Sequence, residues 1–101
     1  MTVMDMERLA DQAGAAAALL KLVANENRLL ILCHLVGAGE MSVNALVDAV
    51  GLSQSALSQH LAKLREDGLV ATRRDGQTIH YRIADPRALA LMETLKRIFC
   101  P

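Results

Sequence analysis

Cys33 and Cys100 are the two thiols of a 101-residue chain, and His34, His60 and His80 are its three imidazoles. A thiolate can hold a metal, attack an electrophile or enter a disulfide, and its acidity and surroundings decide which. A soft metal site asks for three or four converging nitrogen and sulfur donors. The spacing here announces no such cluster: there is no C-x-x-C pair, and the histidines fall singly. No nucleophile stands beside a base, and no glycine-rich loop is arranged to cradle phosphate. The sequence therefore offers no catalytic residue, no resident cofactor and no metal ligand set, and an enzyme reading fails on inventory. What remains is a pair of thiols. A direct disulfide needs Cα atoms within about 7 Å, which spacing along the chain leaves open.

A second chemistry, hydrogen bonding to an exposed edge, is concentrated in S-Q-S-A-L-S-Q-H-L-A-K-L-R-E-D-G, residues 53–68. Ser53 is a good helix N-cap, because its hydroxyl can accept from an unpaired first-turn amide. Gly68 supplies the left-handed residue that ends helices. Leu57, Leu61 and Leu64 share one side and mark it as buried. The outer face carries Ser55 and Gln59, with Ser58 and Lys63 at its margins and Gln54 at the tip. Small hydroxyls and amides on the first two turns suit a helix that sits against base edges in a major groove. A solvated amphipathic helix would explain the same face. His60 lies on the flank, where a hydrogen bond to a neighbouring element competes with base contact.

The elements around this stretch decide between those readings. Upstream, S-V-N-A-L-V-D-A-V-G-L reads as a shorter helix capped by Ser42, with Leu46, Val47 and Val50 apolar and Gly51-Leu52 as a tight turn. Two helices joined in this way form a helix-turn-helix. Downstream, L-V-A-T-R-R and Q-T-I-H-Y-R-I flank Asp75-Gly76, a dipeptide suited to a type I′ hairpin turn. Arg73, Arg74 and Gln77 stand near its tip, where they can reach phosphates or a minor groove. The architecture expected is mainly α with a small β-hairpin: a winged helix-turn-helix of five helices and a two-stranded wing. The proposed DNA-contacting set is Ser53, Gln54, Ser55, Ser58, Gln59, His60, Lys63, Arg73, Arg74 and Gln77.

These residues carry a resemblance. The segments A-N-E-N-R-L-L-I-L-C-H-L, L-S-Q-S-A-L-S-Q-H-L-A-K-L-R-E-D-G-L-V and R-R-D-G-Q-T-I-H-Y-R-I, running from Asn25 to Arg82, resemble the ArsR/SmtB family of bacterial winged-helix repressors. Cys33 within L-C-H-L and Cys100 within I-F-C-P carry a narrower resemblance, to the branch that senses sulfide or persulfide through two cysteines. The resemblance implies a homodimeric transcriptional repressor that binds double-stranded DNA at an inverted repeat. It also implies Cys33 and Cys100 as the thiol switch, bridged by inserted sulfur atoms, with reactive sulfur species as effector. Metal-responsive members need sulfur ligands in the helix before the reading helix, where this chain has A-L-V-D-A-V. Others need Asp and His pairs on the last helix, and residues 86–99 contain no histidine. A peroxide-driven disulfide and a metal response are the alternatives within the family. A winged helix used only as a protein-interaction module is the rival from another class.

Composition sets the frame. Residues 1–101 are expected to form a single domain, small for burying a core alone. The chain is 52% hydrophobic but only 2% aromatic, so its core must be aliphatic. No apolar run approaches the roughly 18 residues that would span a bilayer, and the N-terminal segment is acidic rather than signal-like. A cytoplasmic protein without a membrane partner is expected, with thiols resting reduced. Net charge is zero, but its distribution is uneven. Lys63, Arg65, Arg73, Arg74 and Arg82 outnumber Glu66, Asp67 and Asp75 across the reading elements, an excess small enough to give salt-sensitive DNA binding.

The remaining segments position the thiols. Residues 4–23 read as a helix whose alanine-rich middle allows another helix to approach closely. Asn25 caps a second helix running to Val36, ended by Gly37 and Gly39, with Cys33 on the apolar stripe of Leu29, Leu32 and Val36. A lone cysteine there is ordinarily inert packing. His34 and Arg28 could instead supply the positive potential that lowers a thiol pKa. Asp85-Pro86 opens a last helix whose Leu89, Met92, Leu95, Ile98 and Phe99 are expected to form the dimer seam with the first helix. Cys100 lies just past that stripe, before a terminal proline, and is expected to be partly exposed.

Overall fold

The computed structural model describes residues 3–100, with side chains from residue 6 onward; Met1, Thr2 and Pro101 lie outside the described residues. Five helices and three short strands follow in the order α1 (Val3–Val23), α2 (Glu26–Ala38), β1 (Met41–Ser42), α3 (Val43–Val50), α4 (Gln54–Glu66), β2 (Val70–Asp75), β3 (Thr78–Ile83) and α5 (Pro86–Phe99). The core is aliphatic, as the near-absence of aromatics requires. Ile31, Leu32 and Leu35 of α2, Leu46 of α3, Leu57, Leu61 and Leu64 of α4 and Met92 of α5 are all at most 1% exposed.

Local chemistry sets the helix ends. Asn25, Ser42, Ser53 and Asp85 each sit in extended backbone and accept from an amide of the following turn, which satisfies donors that a helix start leaves orphaned. After α4, Gly68 takes φ +78°, its amide donates to the Arg65 carbonyl and that of Leu69 to the Leu64 carbonyl. This Schellman closure turns the chain sharply and buries Leu69 and Val70 at the start of the wing.

The structure departs from the sequence expectations at five points. The expected two-stranded wing, β2 and β3, is present, but Met41 and the cap residue Ser42, not expected as a strand, pair antiparallel with Tyr81 and His80 and extend it to a sheet of order β1-β3-β2. Two residues are too short to show a period of two, so no sequence signal marked β1. Gly37 does not end α2 but lies within it, and Gly39 at φ +81° is the cap. An interior glycine costs a helix about 0.8–1.0 kcal/mol relative to alanine. The hairpin loop is Gly76-Gln77 rather than Asp75-Gly76, because Asp75 still pairs with Thr78. Gly76 alone has a positive φ, and the described non-glycine residues have none, so the signs fit a type II′ turn rather than I′. Fourth, α2 buries a face centred on Ile31 and Leu35, leaving Leu29, Cys33 and Val36 half-buried at its edge.

The fifth concerns the last helix, whose apolar stripe divides. Met92 is fully buried in this chain's own core and Leu95 packs against it, whereas Ile98 and Phe99 are 61% and 76% exposed. Most of α1 is also bare: among its described side chains only Val23 is buried, with Leu19 and Leu22 packed against the core. Nothing lies within 4 Å of the place where a Cβ on Gly14 would stand.

Leu61→Ala is expected to destabilise the fold by about 2–5 kcal/mol, since it removes buried methylenes and leaves a cavity. Ser55→Ala, on the exposed side of the same helix, should stay within about 0.5 kcal/mol. Urea titrations of both variants test the assignment of faces on α4.

Candidate DNA interface and thiol pair

The reading helix is held at its start by its cap and along its length by its leucines. The Ser53 hydroxyl accepts from the Ala56 amide at 3.1 Å, so that side chain is committed to the cap. Gln54, Ser55, Ser58, Gln59 and Lys63 are exposed, and Lys63 pairs with Asp67 at 3.2 Å. Gln54 and Ser58 line one cleft with Asn44 of α3 and Gln77, Thr78 and Tyr81 of the wing. Amide and hydroxyl groups from three elements thus converge on the same side. Asn44 and Thr78 were missed by sequence reasoning, since neither stands out within its own segment.

His60 lies apart from that cleft. Its Nδ1 accepts from Arg28 Nε at 3.4 Å, while Arg28 Nη1 donates to the Leu22 carbonyl at 3.1 Å. Arg28 therefore joins the end of α1, the start of α2 and the flank of α4.

Arg73 and Arg74 of β2 lie on opposite faces of the wing. Arg74 pairs across the hairpin with Ile79, and Thr72 with Tyr81, so they share the face that borders the cleft. Arg73 pairs with His80 on the other face. There its guanidinium is clamped by Glu40, with Nη2 donating to Oε1 at 2.7 Å and Nε to Oε2 at 3.1 Å. His80 Nδ1 stands 4.0 Å from the same carboxylate. The hydrogen bond and charge of Arg73, with His80 and Arg82 nearby, hold the Glu40 carboxyl below the usual carboxylate range. This charge-assisted contact is present above the ordinary carboxylate pKa and is lost as acid protonates Glu40. Glu40 was not a sequence candidate, because its role exists only once β1 lies beside β3.

The thiols line separate clefts that share Gly37 and Lys96, where α2 packs on α5. Cys33 is half-buried and Cys100 exposed, both as free thiols. Cys33 lines a cleft with Met41, Gly37 and Lys96; Cys100 lines an adjoining one with Val36, Gly37 and Lys96. Burial pushes the Cys33 thiol up, the charge of Cys100 pushes it further, and Lys96 pulls it down. The cation acting on Cys33 is therefore Lys96, not Arg28, which is occupied at His60. His34 is exposed on the rim of the Cys33 cleft. Among the described residues no three His, Cys, Asp or Glu side chains are grouped to hold a metal ion, and no helix is long and apolar enough to cross a membrane.

A helix-turn-helix with an amide-rich second helix, beside a sheet-borne wing, defines a winged-helix DNA-binding protein. A family model for "Bacterial regulatory protein, arsR family" matches residues 25–72. The chain is 46% identical over 97 residues to the transcriptional activator HlyU of Vibrio cholerae, covering 96% of this chain and 89% of that one. It is 43% identical over 100 residues to the biofilm growth-associated repressor of Xylella fastidiosa, covering 99% and 84%. The solved structure of reduced HlyU from Vibrio cholerae superposes with a TM-score of 0.87 at 46% identity, covering 94% and 99%. The chain belongs to the ArsR family of bacterial transcriptional regulators.

Glu40→Gln should release Arg73 and add one positive charge to the wing. Affinity for random duplex is expected to rise and the salt slope to steepen by about one. If neither changes, and Arg73→Ala is also silent, the Arg73 face does not meet DNA and Arg74 carries the wing contact.

Proposed function

We propose that this regulator binds an inverted-repeat operator as a two-fold dimer, and that a sulfur bridge between Cys33 and Cys100 makes it let go. The observation that carries the switch is the placement of both thiols on adjoining clefts of one helix pair, close enough for the charge of one to act on the other. With an organic polysulfide RS–Sn–SR the chemistry balances: two thiols are consumed, the sulfur chain joins them, and two RSH leave. A peroxide would instead give a plain disulfide and two waters. Inserted sulfur spans a wider gap than a disulfide permits.

The DNA side of the proposal rests on Gln54, Ser55, Ser58 and Gln59 as the base-facing set, with Arg74, Gln77 and Lys63 toward the backbone. His60 acts by fixing the flank of α4 to Arg28 rather than by touching bases, and Ser53 acts as the cap. Exposed Met6, Leu9 and Leu20 of α1 and Leu89, Ile98 and Phe99 of α5 form the surface offered to the second copy. An apolar patch of this kind marks a protein contact, and two-fold pairing is the commonest closed symmetry. A bridge that draws α5 toward α2 changes the angle at which two reading helices are presented, and binding shifts with the population.

Intact mass after polysulfide or peroxide treatment, read beside operator binding, tests the switch. Retained extra sulfur together with DNA release is the expected result. A mass lower by two hydrogens alone favours the peroxide reading, and release in the Cys33→Ser variant refutes the bridge. For the interface, Gln59→Ala should lose more affinity for operator than for random duplex; equal losses overturn its assignment. Ile98→Glu should yield monomer and abolish operator binding, as judged by sedimentation.

A further inference from the structure

Lys96 is shared by the clefts of the two thiols. It lines both the Cys33 cleft and the Cys100 cleft, and its carbonyl accepts from the Cys100 amide at 2.8 Å, so the two residues share the last turn of α5. Its ammonium lies 3.7 Å from where a Cβ on Gly37 would stand. The interior glycine of α2 thus leaves a bare strip of helix for the lysine to lie along. Among the described residues no carboxylate lies within ion-pair distance of Lys96, so its charge is not neutralised locally. The other charged or titratable groups facing these clefts are His34 from α2 and Glu93 and Arg97 from α5.

We propose that Lys96 is the positioning residue of the dithiol, a shared counter-ion that serves the Cys100 thiolate first and the Cys33 thiolate second. The inference rests on the dithiol reading above and adds the order of the two steps. Cys100 is exposed, so it attacks first. Its thiolate displaces RS⁻ from RS–Sn–SR and is left as Cys100–S–Sn–SR, with no charge at position 100. The repulsion that disfavours a Cys33 thiolate is then gone, while the attraction of Lys96 remains. Cys33 ionises, displaces the second RS⁻ and closes the bridge; the two thiol protons leave with the two RSH. Each cleft, of about 430 and 670 Å³, is within the size range that receives small ligands.

Removing one nearby positive charge is expected to raise the pH at which Cys33 ionises. The thiolate fraction near pH 7 then falls, and the greater nucleophilicity of a more basic thiolate recovers only part of the loss, so the bridging rate should drop about threefold. The test uses the full chain as wild type, Lys96→Met and Lys96→Arg, with glutathione trisulfide as probe and bridging followed by mass across about pH 6 to 9. Alkylation of Cys33 by iodoacetamide across the same range reports ionisation separately. The expected result is a slower, upward-shifted profile in Lys96→Met, wild-type behaviour in Lys96→Arg, and unchanged DNA affinity in both when reduced. If wild type bridges but Lys96→Met keeps the wild-type profile in both assays, Lys96 has no such role and the dithiol reading survives. If wild type forms no bridge at all, both fall.

Discussion

The rest of this structure depends on the burial of one face of α2. Ile31, Leu32 and Leu35 of α2 are at most 1% exposed, in one core cluster with the leucines of α3 and α4 and with Met92 of α5. In an aliphatic core of this size no other element could take its place. Fully burying one such side chain stabilises a fold by about 1.5–3 kcal/mol, against a typical net stability of only 5–15 kcal/mol. A close-packed helix of this kind cannot shift alone. Whatever moves α2 or α5 must be felt by the reading helix.

The polar contacts at the ends of α2 extend that constraint. At its start, Arg28 reaches the end of α1 and the flank of α4 through Leu22 and His60. Past its end, Glu40 holds Arg73, and Met41 and Ser42 enter the sheet beside β3. Ser42 then caps α3 through the Ala45 amide. A chain of about ten residues from Cys33 therefore reaches the wing and the start of the helix-turn-helix without a flexible break, apart from the cap at Gly39. The exposed Glu40–Arg73 pair adds little to stability, as surface pairs generally do. Its consequence is directional: it spends one wing cation on the sheet face away from the cleft, leaving Arg74 on the near face.

The sequence made the reading helix legible because its signals agree: a serine cap, leucines at helical spacing and a glycine stop all fall where the structure has them. The hairpin was legible in outline, but its loop was displaced by one residue, since strand pairing past Asp75 outweighed the local preference of Asp-Gly. β1 and the interior position of Gly37 were not legible. Two residues cannot carry a period, and a glycine gives no local sign that a lysine from another helix crosses it. The stripe on α5 was read as one surface because periodicity records which residues share a face, not which protein covers them. Lys96 was overlooked for a related reason: a lysine in the last turn of a helix ordinarily answers the helix dipole, and only the tertiary fold brings it to Cys33.

The length of α1 bears on what the isolated chain lacks. Twenty-one helical residues extend about 31 Å, and the chain's longest dimension is 51 Å against 30 and 21 Å for the others. Among its described residues, Leu19, Leu22 and Val23 of the last turns pack with the core of the body. A helix so placed cannot draw much stability from propensity alone, even when rich in alanine, and Gly14 weakens it further. In the proposed dimer its stability would come from packing that one copy does not supply. The bare apolar residues Met6, Leu9 and Leu20 on α1 and Ile98 and Phe99 on α5 are where a second copy would supply it in the proposed dimer. Phe99 is the neighbour of Cys100. In that proposed dimer the last turn of α5 would belong at once to the seam and to the thiol pair, so chemistry at Cys100 would act on the angle between two reading helices through a single turn of helix.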